Sequence, residues 1–311
     1  MTARRPDVAD PLDEAPRTAV TPPDGSPPEV GDLADGTVEA IRQRAPEQRR
    51  RGRAVAWLRA GAGAGWPPLL VAVLALAVWE AWIRVRGVPD YLAPSPTAVA
   101  DALLADPTRF LGAGAVSLQH AMGGLVLGAG GAFALGAVMA HSHRLERALY
   151  PFALRVKVTP IVAIAPLLII WFGFGDAPKY VVAGLITFFP MLVNAVTGLR
   201  TVDAAAHDFF RAMDASRWQV FLRLRLPASL PYVFAALRIS VPLALIGAVV
   251  AEWMSADSGV GQLIVIAHGD FDTPALFGAV VVLAAIGIAL TGALALLERR
   301  LLFWHESVRE W

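Results

Sequence analysis

Residues 201–231 read TVDAAAHDFFRAMDASRWQVFLRLRLPASLP and lead directly into an apolar stretch over 232–253. Asp203 is placed to cap a short helix running to about Met213, because its carboxylate can accept from the first free backbone N–H groups. A break follows at Asp214. Ser216 and Gln219 then spell a capping box for a second helix, which Pro227, lacking an N–H, is expected to end. On that helix Trp218, Phe221 and Leu222 make an apolar stripe at spacings of three and four, while Arg217, Arg223 and Arg225 supply cations. A helix–break–helix element with exposed aromatics reads either as a docking device or as an amphipathic helix lying among lipid headgroups.

The rest of the chain places this element beside a membrane. Of 311 residues, 56% are hydrophobic and 17% charged, and the mean hydropathy is +0.54, a balance that a fully water-exposed surface does not allow. A net charge of +1 gives no global basic field, so nucleic acid is not an expected partner. With no cysteine, disulfides, Cys-ligated zinc, iron–sulfur centres and thiol nucleophiles are excluded. Six apolar segments follow, at about 66–84, 115–140, 152–173, 180–199, 232–253 and 275–297, each long enough to cross about 30 Å of hydrocarbon as a helix. The expected fold is therefore an all-α integral membrane protein of about six transmembrane helices. Arg155 and Lys157 shorten the third segment and Arg238 interrupts the fifth, near ends where long cations can snorkel.

Domain boundaries follow composition. Residues 1–48 carry ten acidic and five basic side chains and many prolines, too little apolar surface to offset the entropy of ordering. With the cluster Arg49, Arg50, Arg51, Arg53 and Arg59, they form an expected disordered tail over 1–65. Membrane-embedded chain is expected over 66–304 and a short tail over 305–311. A twin-arginine export signal lacks its consensus after the arginine pair, and the first apolar run is long enough to span. With the amino terminus inside, fifteen cations flank the inner side and four flank the outer, Arg84, Arg86, Arg109 and Lys179. That asymmetry predicts both termini and the 201–231 loop in the cytoplasm.

Within the spans, Gly124, Gly128, Ala132, Gly136 and Ala140 recur every four residues and line one helix face with small side chains. This reads as a seam at a mobile interface or as ordinary close packing. Pro160, Pro166, Pro190 and Pro242 mark breaks, either of a route through the bilayer or of structural kinks. Thr187 and Asn194 are polar at depth, and Glu80 and Glu252 lie near helix ends. Glu80 has Arg84 four residues on as a local partner. Glu252 has no local cation, so Thr187, Asn194 and Glu252 are the candidates for a permeation path. Few other ionisable groups are expected inside. The glycines follow no strand and no Walker-type phosphate loop occurs, so this chain is expected to bind no nucleotide and no metal.

Residues 201–231 also resemble the EAA loop of the permease subunits of ATP-binding-cassette importers. That loop has an acidic-small-small start, a glycine, and a Leu-Pro pair about a dozen residues later. Here Asp208 stands at the acidic position, Asp214 at the glycine position, and Leu226 and Pro227 form the pair. The similarity extends over about 90–304, through YLAPSP at 91–96, RLERALYP at 144–151, WFGFG at 171–175, FFPMLVN at 188–194, DASRWQVF at 214–221, IGAVVAEW at 246–253 and FDT at 271–273. Together these are similar to the nitrate, sulfonate, taurine and thiamine-precursor branch of the family. Two positions depart from the pattern. Phe209 and Phe210 replace smaller residues, and Asp214 replaces the glycine, although Asp tolerates left-handed geometry.

The resemblance implies a permease of the bacterial cytoplasmic membrane, expected as a homodimer, with no catalytic residues and no cofactor of its own. ATP and Mg would be bound by a partner ATPase, and a solute-binding protein would act outside the cell. The implied coupling loop comprises Asp208, Phe209, Arg211, Ala212, Met213, Asp214, Ala215, Arg217, Trp218, Leu226 and Pro227. Phe209, Arg211, Met213, Arg217 and Trp218 are the expected docking contacts, and Leu226 with Pro227 would fix the element to the fifth span. The resemblance implies a small organic or anionic nutrient, and the segment Arg211–Trp253 is closer to carriers of heteroaromatic vitamin precursors. An ion- or proton-coupled secondary transporter is the alternative, and would need buried ionisable groups around a midplane site. A membrane scaffold without solute flux is a third reading.

Overall fold

A computed structural model describes residues 66–142, 144–149 and 160–303. The expected tails, the basic cluster at 49–59, and Arg155 and Lys157 lie outside the described residues. The chain divides into a unit over 1–75 and a unit over 76–311. In the first, residues 66–75 are the beginning of helix α1 (Trp66–Arg86), exposed from Pro67 onward.

The second unit carries the rest of α1 and then α2 (Pro96–Ala105), α3 (Pro107–His141), a short helical stretch over 144–149, α4 (Ile161–Phe172), α5 (Asp176–Arg200) and α6 (Ala204–Ala212). It continues as α7 (Arg217–Ser255), α8 (Gly259–Gly269) and α9 (Thr273–Leu301). Among the described residues every regular element is helical. Among the described residues, five helices, α1, α3, α5, α7 and α9, are long and apolar enough to cross a membrane. Of the expected third segment, the described part forms α4, 12 residues long. The short helices α2 and α8 were not anticipated from hydropathy, because 10 and 11 residues fall below the length of a span.

Helix starts follow local chemistry. Ser95, Asp106 and Asp272 each accept from a backbone N–H three residues on, and each precedes a proline in the first turn, where the missing N–H costs nothing. Glu80, near the end of α1, accepts from Arg84 at 2.5 Å and from the Thr97 amide and hydroxyl at 3.1 and 2.9 Å. The expected local ion pair forms, and the same carboxylate also ties α1 to the start of α2.

The core is a close three-helix contact of α3, α5 and α7. A Cβ on Gly124 would stand 2.4 Å from that of Ala183, and one on Gly128 would stand 2.1 Å from the Gly184 carbonyl oxygen. A Cβ on Gly247 would approach the Ala183 Cα to 2.9 Å. The small-residue face of α3 thus lets backbones meet at distances that no side chain allows. Met139, Leu192, Ala244 and Ala248 fill the remainder. A second cluster joins Phe110 of α3 to Val260 and Leu263 of α8 and Ala275 and Ala279 of α9.

Two expectations are corrected. Pro227 does not end the second loop helix, because α7 is continuous for 39 residues. Phe221–Arg225 adopts π-helical form, and the Leu226 amide bonds the Phe221 carbonyl. This shift of register comes just before the residue that has no amide to give, so the helix passes Pro227. Arg238 does not snorkel alone: its Nε and Nη2 each lie 2.8 Å from Oε2 of the buried Glu298 on α9.

Candidate functional site

Of the loop residues singled out in the sequence, Arg211, Ala215 and Arg217 line one cleft together with Arg225. Asp203 caps α6 by accepting from the Ala205 amide, and Ser216 with Gln219 forms the reciprocal capping box of α7. Between them Asp214 takes φ 50°. The Ala215 amide bonds the Phe210 carbonyl and the Asp214 amide bonds that of Arg211, the paired bonds of a Schellman ending with its left-handed residue at Asp214. Asp214, which stands where the resembled pattern has a glycine, thus takes the left-handed backbone that glycine adopts most readily.

Asp208, Phe209, Arg211, Ala212, Met213, Asp214, Arg217 and Trp218 are exposed, and Ala215 is half-buried. Phe209, Met213 and Trp218 keep 62%, 65% and 66% of their surface open, unusual for side chains that water disfavours. Trp218 stacks on Phe221 at 5.6 Å, and Phe221 meets His141 at the end of α3 at 5.3 Å. Leu226 and Pro227 are half-buried within α7 itself. Arg225 donates to the Ala140 carbonyl, which seats the loop on the end of α3, and Arg200 at the end of α5 pairs with Glu146 in the 144–149 stretch. Among the clefts beside the loop, one of about 650 Å³ is apolar and includes Phe133, Val138, Trp218 and Phe221, and another of about 380 Å³ is lined by His141, His207, Arg211, Arg217 and Arg225.

The candidate path residues separate. The Thr187 hydroxyl donates to the Ala183 and Gly184 carbonyls, and Asn194 donates to the Pro190 carbonyl. Both therefore satisfy the backbone of α5. Glu252 is fully buried near the far end of α7 and belongs to a polar cluster that sequence reasoning missed. Its Oε1 lies 2.7 Å from Nδ1 of His120, and its Oε2 accepts from the Ser117 hydroxyl at 2.6 Å and the Gly261 amide at 3.0 Å. Ser117 in turn accepts from the Val260 amide. The carboxylate thereby caps the first turn of α8, where Ser258 provides no side-chain cap and the dipole favours negative charge. A Cβ on Gly259, which has φ +80°, would stand 2.2 Å from the Glu252 carboxyl carbon.

The cluster continues outward. His120 Nε2 lies 3.1 Å from Asp176, and the buried Lys179 lies 2.6 Å from Asp257 and 2.7 Å from the Ser258 hydroxyl. Both ring nitrogens of His120 thus face carboxyl groups, Nδ1 that of Glu252 and Nε2 that of Asp176. Burial alone would raise the Asp257 carboxyl, but hydrogen bonds from Lys179 and Ser255 and the Lys179 charge hold it below the usual range. The expectation of few interior ionisable groups is thus corrected: His120, Lys179, Glu252 and Glu298 are all buried. Among the described residues, no group of three or more His, Cys, Asp or Glu could hold a metal ion.

Comparison with known proteins decides the family. The family described as binding-protein-dependent transport system inner membrane component matches residues 132–303. The riboflavin transport system permease protein of Chloroflexus aurantiacus is 38% identical over 251 residues, covering 78% of this chain and 92% of that one. The chain belongs to this family. The formylaminopyrimidine transport permease protein of Halalkalibacterium halodurans is 34% identical to the permease, covering 77% of it and 96% of the relative. The putative aliphatic sulfonates transport permease protein of Bacillus subtilis is 30% identical, covering 89% and 97%. An inward-facing methionine ABC transporter shares the fold at a TM-score of 0.51 and 14% identity, over 62% of this permease and 94% of that chain. This is a multi-pass inner-membrane permease subunit of an ABC transporter, in which ATP is hydrolysed by a separate subunit. Such a system implies an ATPase and a binding protein as partners.

Proposed function

We propose that the permease carries a small organic or anionic nutrient into the cell and is driven through the surface made by α6 and the start of α7. The observation that carries this reading is the exposure of Phe209, Met213 and Trp218 beside Arg211 and Arg217, on a loop whose second helix is continuous with a span. Aromatic and arginine side chains of this kind are typical anchors of protein interfaces. The loop lies in the cytoplasm, both termini face the same side, and two copies form the pathway with two ATPase subunits. The external binding protein meets the opposite face. Riboflavin and formylaminopyrimidine in the names of two relatives favour a heteroaromatic vitamin or vitamin precursor over an aliphatic sulfonate. The permeation path is proposed near the face of α5 that carries Thr187 and Asn194.

The test is co-purification of the ATPase with the permease after Arg217→Glu and Trp218→Ala, singly and together, with uptake measured in the same preparations. The double variant is expected to lose about tenfold or more in association, the scale of removing central anchors. Undiminished association and uptake would remove these residues from the coupling surface.

A further inference from the structure

Two features that the docking surface leaves unexplained are joined by one element. Helix α7 starts at the loop and is continuous for 39 residues, about 58 Å at 1.5 Å per residue. Near its far end sits Glu252, whose carboxylate accepts from His120 and Ser117 of α3 and from Gly261 of α8. From His120 the network passes to Asp176 on α5, and from Lys179 on α5 it returns to Asp257 and Ser258 in the connection between α7 and α8. Four elements therefore end in one hydrogen-bonded charge cluster. Next to it Gly124, Ala183 and Gly247 bring the backbones of α3, α5 and α7 into direct contact. No buried polar side-chain atom lacks a partner among the described residues, and Glu252 and His120 are closed to solvent at the centre of the cluster.

We propose that Glu252 and His120 are positioning residues that clamp α3, α5 and α8 to the far end of α7, so that these helices move as one body with the coupling loop. The inference rests on the loop being the coupling surface and adds what that surface moves. A buried carboxyl group hydrogen-bonded to His120, Ser117 and Gly261 does not break and re-form those bonds cheaply in each cycle, whereas a rigid block with a long lever needs no such rearrangement. This removes Glu252 from the solute contacts and makes it the fixed point at the end of the lever. Solute passage then depends on motion between this block and the elements that it meets through ordinary apolar packing, such as α4, where Ala165 and Leu168 lie against Val182 and Ala251.

The experiment uses the whole transporter with its ATPase and binding protein in proteoliposomes, where uptake and ATP hydrolysis are both measured. Gln119 Nε2 donates to the Tyr180 hydroxyl across α3 and α5 at 2.9 Å; neither side chain hydrogen-bonds Glu252 or His120, and because the Tyr180 ring meets that of His120 edge-on at 5.6 Å the reference is the unbridged double variant. Because the chain has no cysteine, Gln119→Cys with Tyr180→Cys can be bridged selectively by a short bis-thiosulfonate. A rigid block predicts that bridged transporter keeps uptake within about twofold of the unbridged double variant. In a second arm, Glu252→Gln is expected to lower solute taken up per ATP by about tenfold while hydrolysis continues; a merely structural role would lower both together. Abolition of uptake by the bridge overturns the proposal, and so does an unchanged ratio in Glu252→Gln. If Glu252→Gln does not assemble, the bridged pair alone decides. ATP-driven uptake by the unsubstituted transporter, and its loss in the loop variants, judge the coupling surface separately.

Discussion

At residue scale the strongest consequences come from Glu252 and the two glycines that admit it. Glu252→Ala would leave His120 Nδ1, the Ser117 hydroxyl and the Gly261 amide without an acceptor in a site closed to water. The expected cost is about 3–5 kcal/mol, as for other broken buried pairs, read as a lowered midpoint of thermal unfolding in detergent. Gly259→Ala fails for a different reason, since its Cβ would overlap the carboxyl carbon at a backbone angle that side chains avoid. At Asp214, with φ 50°, glycine is expected to preserve uptake, whereas Asp214→Val would cost about 1–2 kcal/mol locally and weaken ATPase association. Loss of uptake in Asp214→Gly with intact assembly would contradict this account of the break. Asp257 titrates below the usual carboxylate range because of Lys179 and Ser255. A lowered folded-state value adds stability that is fully present above the ordinary range near about 3.9 and is lost as pH falls through the folded value. The stability gap between the native protein and Asp257→Asn should therefore shrink as unfolding is followed from pH 7 to pH 3.

At the scale of elements, the loop was legible because caps and breaks are local. Asp203, the Ser216–Gln219 box and the break at Asp214 each act within a few residues, and each stands where the sequence places it. The small-residue face of α3 was equally legible as periodicity, and the structure supplies its partner, the Ala183–Gly184 region of α5. Gly128→Val is expected to separate α3 from α5 and to reduce the yield of folded permease severalfold, because the Gly184 carbonyl occupies the space of the first added carbon. The passage of α7 through Pro227 was not legible: a proline reads as a stop, and the π turn that absorbs it depends on hydrogen bonds that no residue type announces. The polar cluster was hidden for another reason. Glu252 meets partners 132 and 135 residues away on α3, and hydropathy carries no information about which buried groups face one another. The one local signal was Gly259 with Gly261, two small residues where a side chain had to approach the start of α8.

At the scale of the whole molecule, this chain supplies a pathway and a mechanical input but no bond chemistry. The energy enters through the partner ATPase, and α7 joins the docking surface to the opposite end of the bundle without interruption. Family membership was legible because several motifs occur in order over about 90–304, including the loop itself. The substrate was not, since no residue pattern in the spans names a solute chemistry. The most direct measurement is solute uptake by proteoliposomes containing the permease, its ATPase and its binding protein, with ATP inside and no ion gradient. The account predicts concentrative uptake that needs ATP and the binding protein and that Arg217→Glu with Trp218→Ala abolishes. Uptake that persists without ATP or without the ATPase, driven by a proton or sodium gradient, would contradict it.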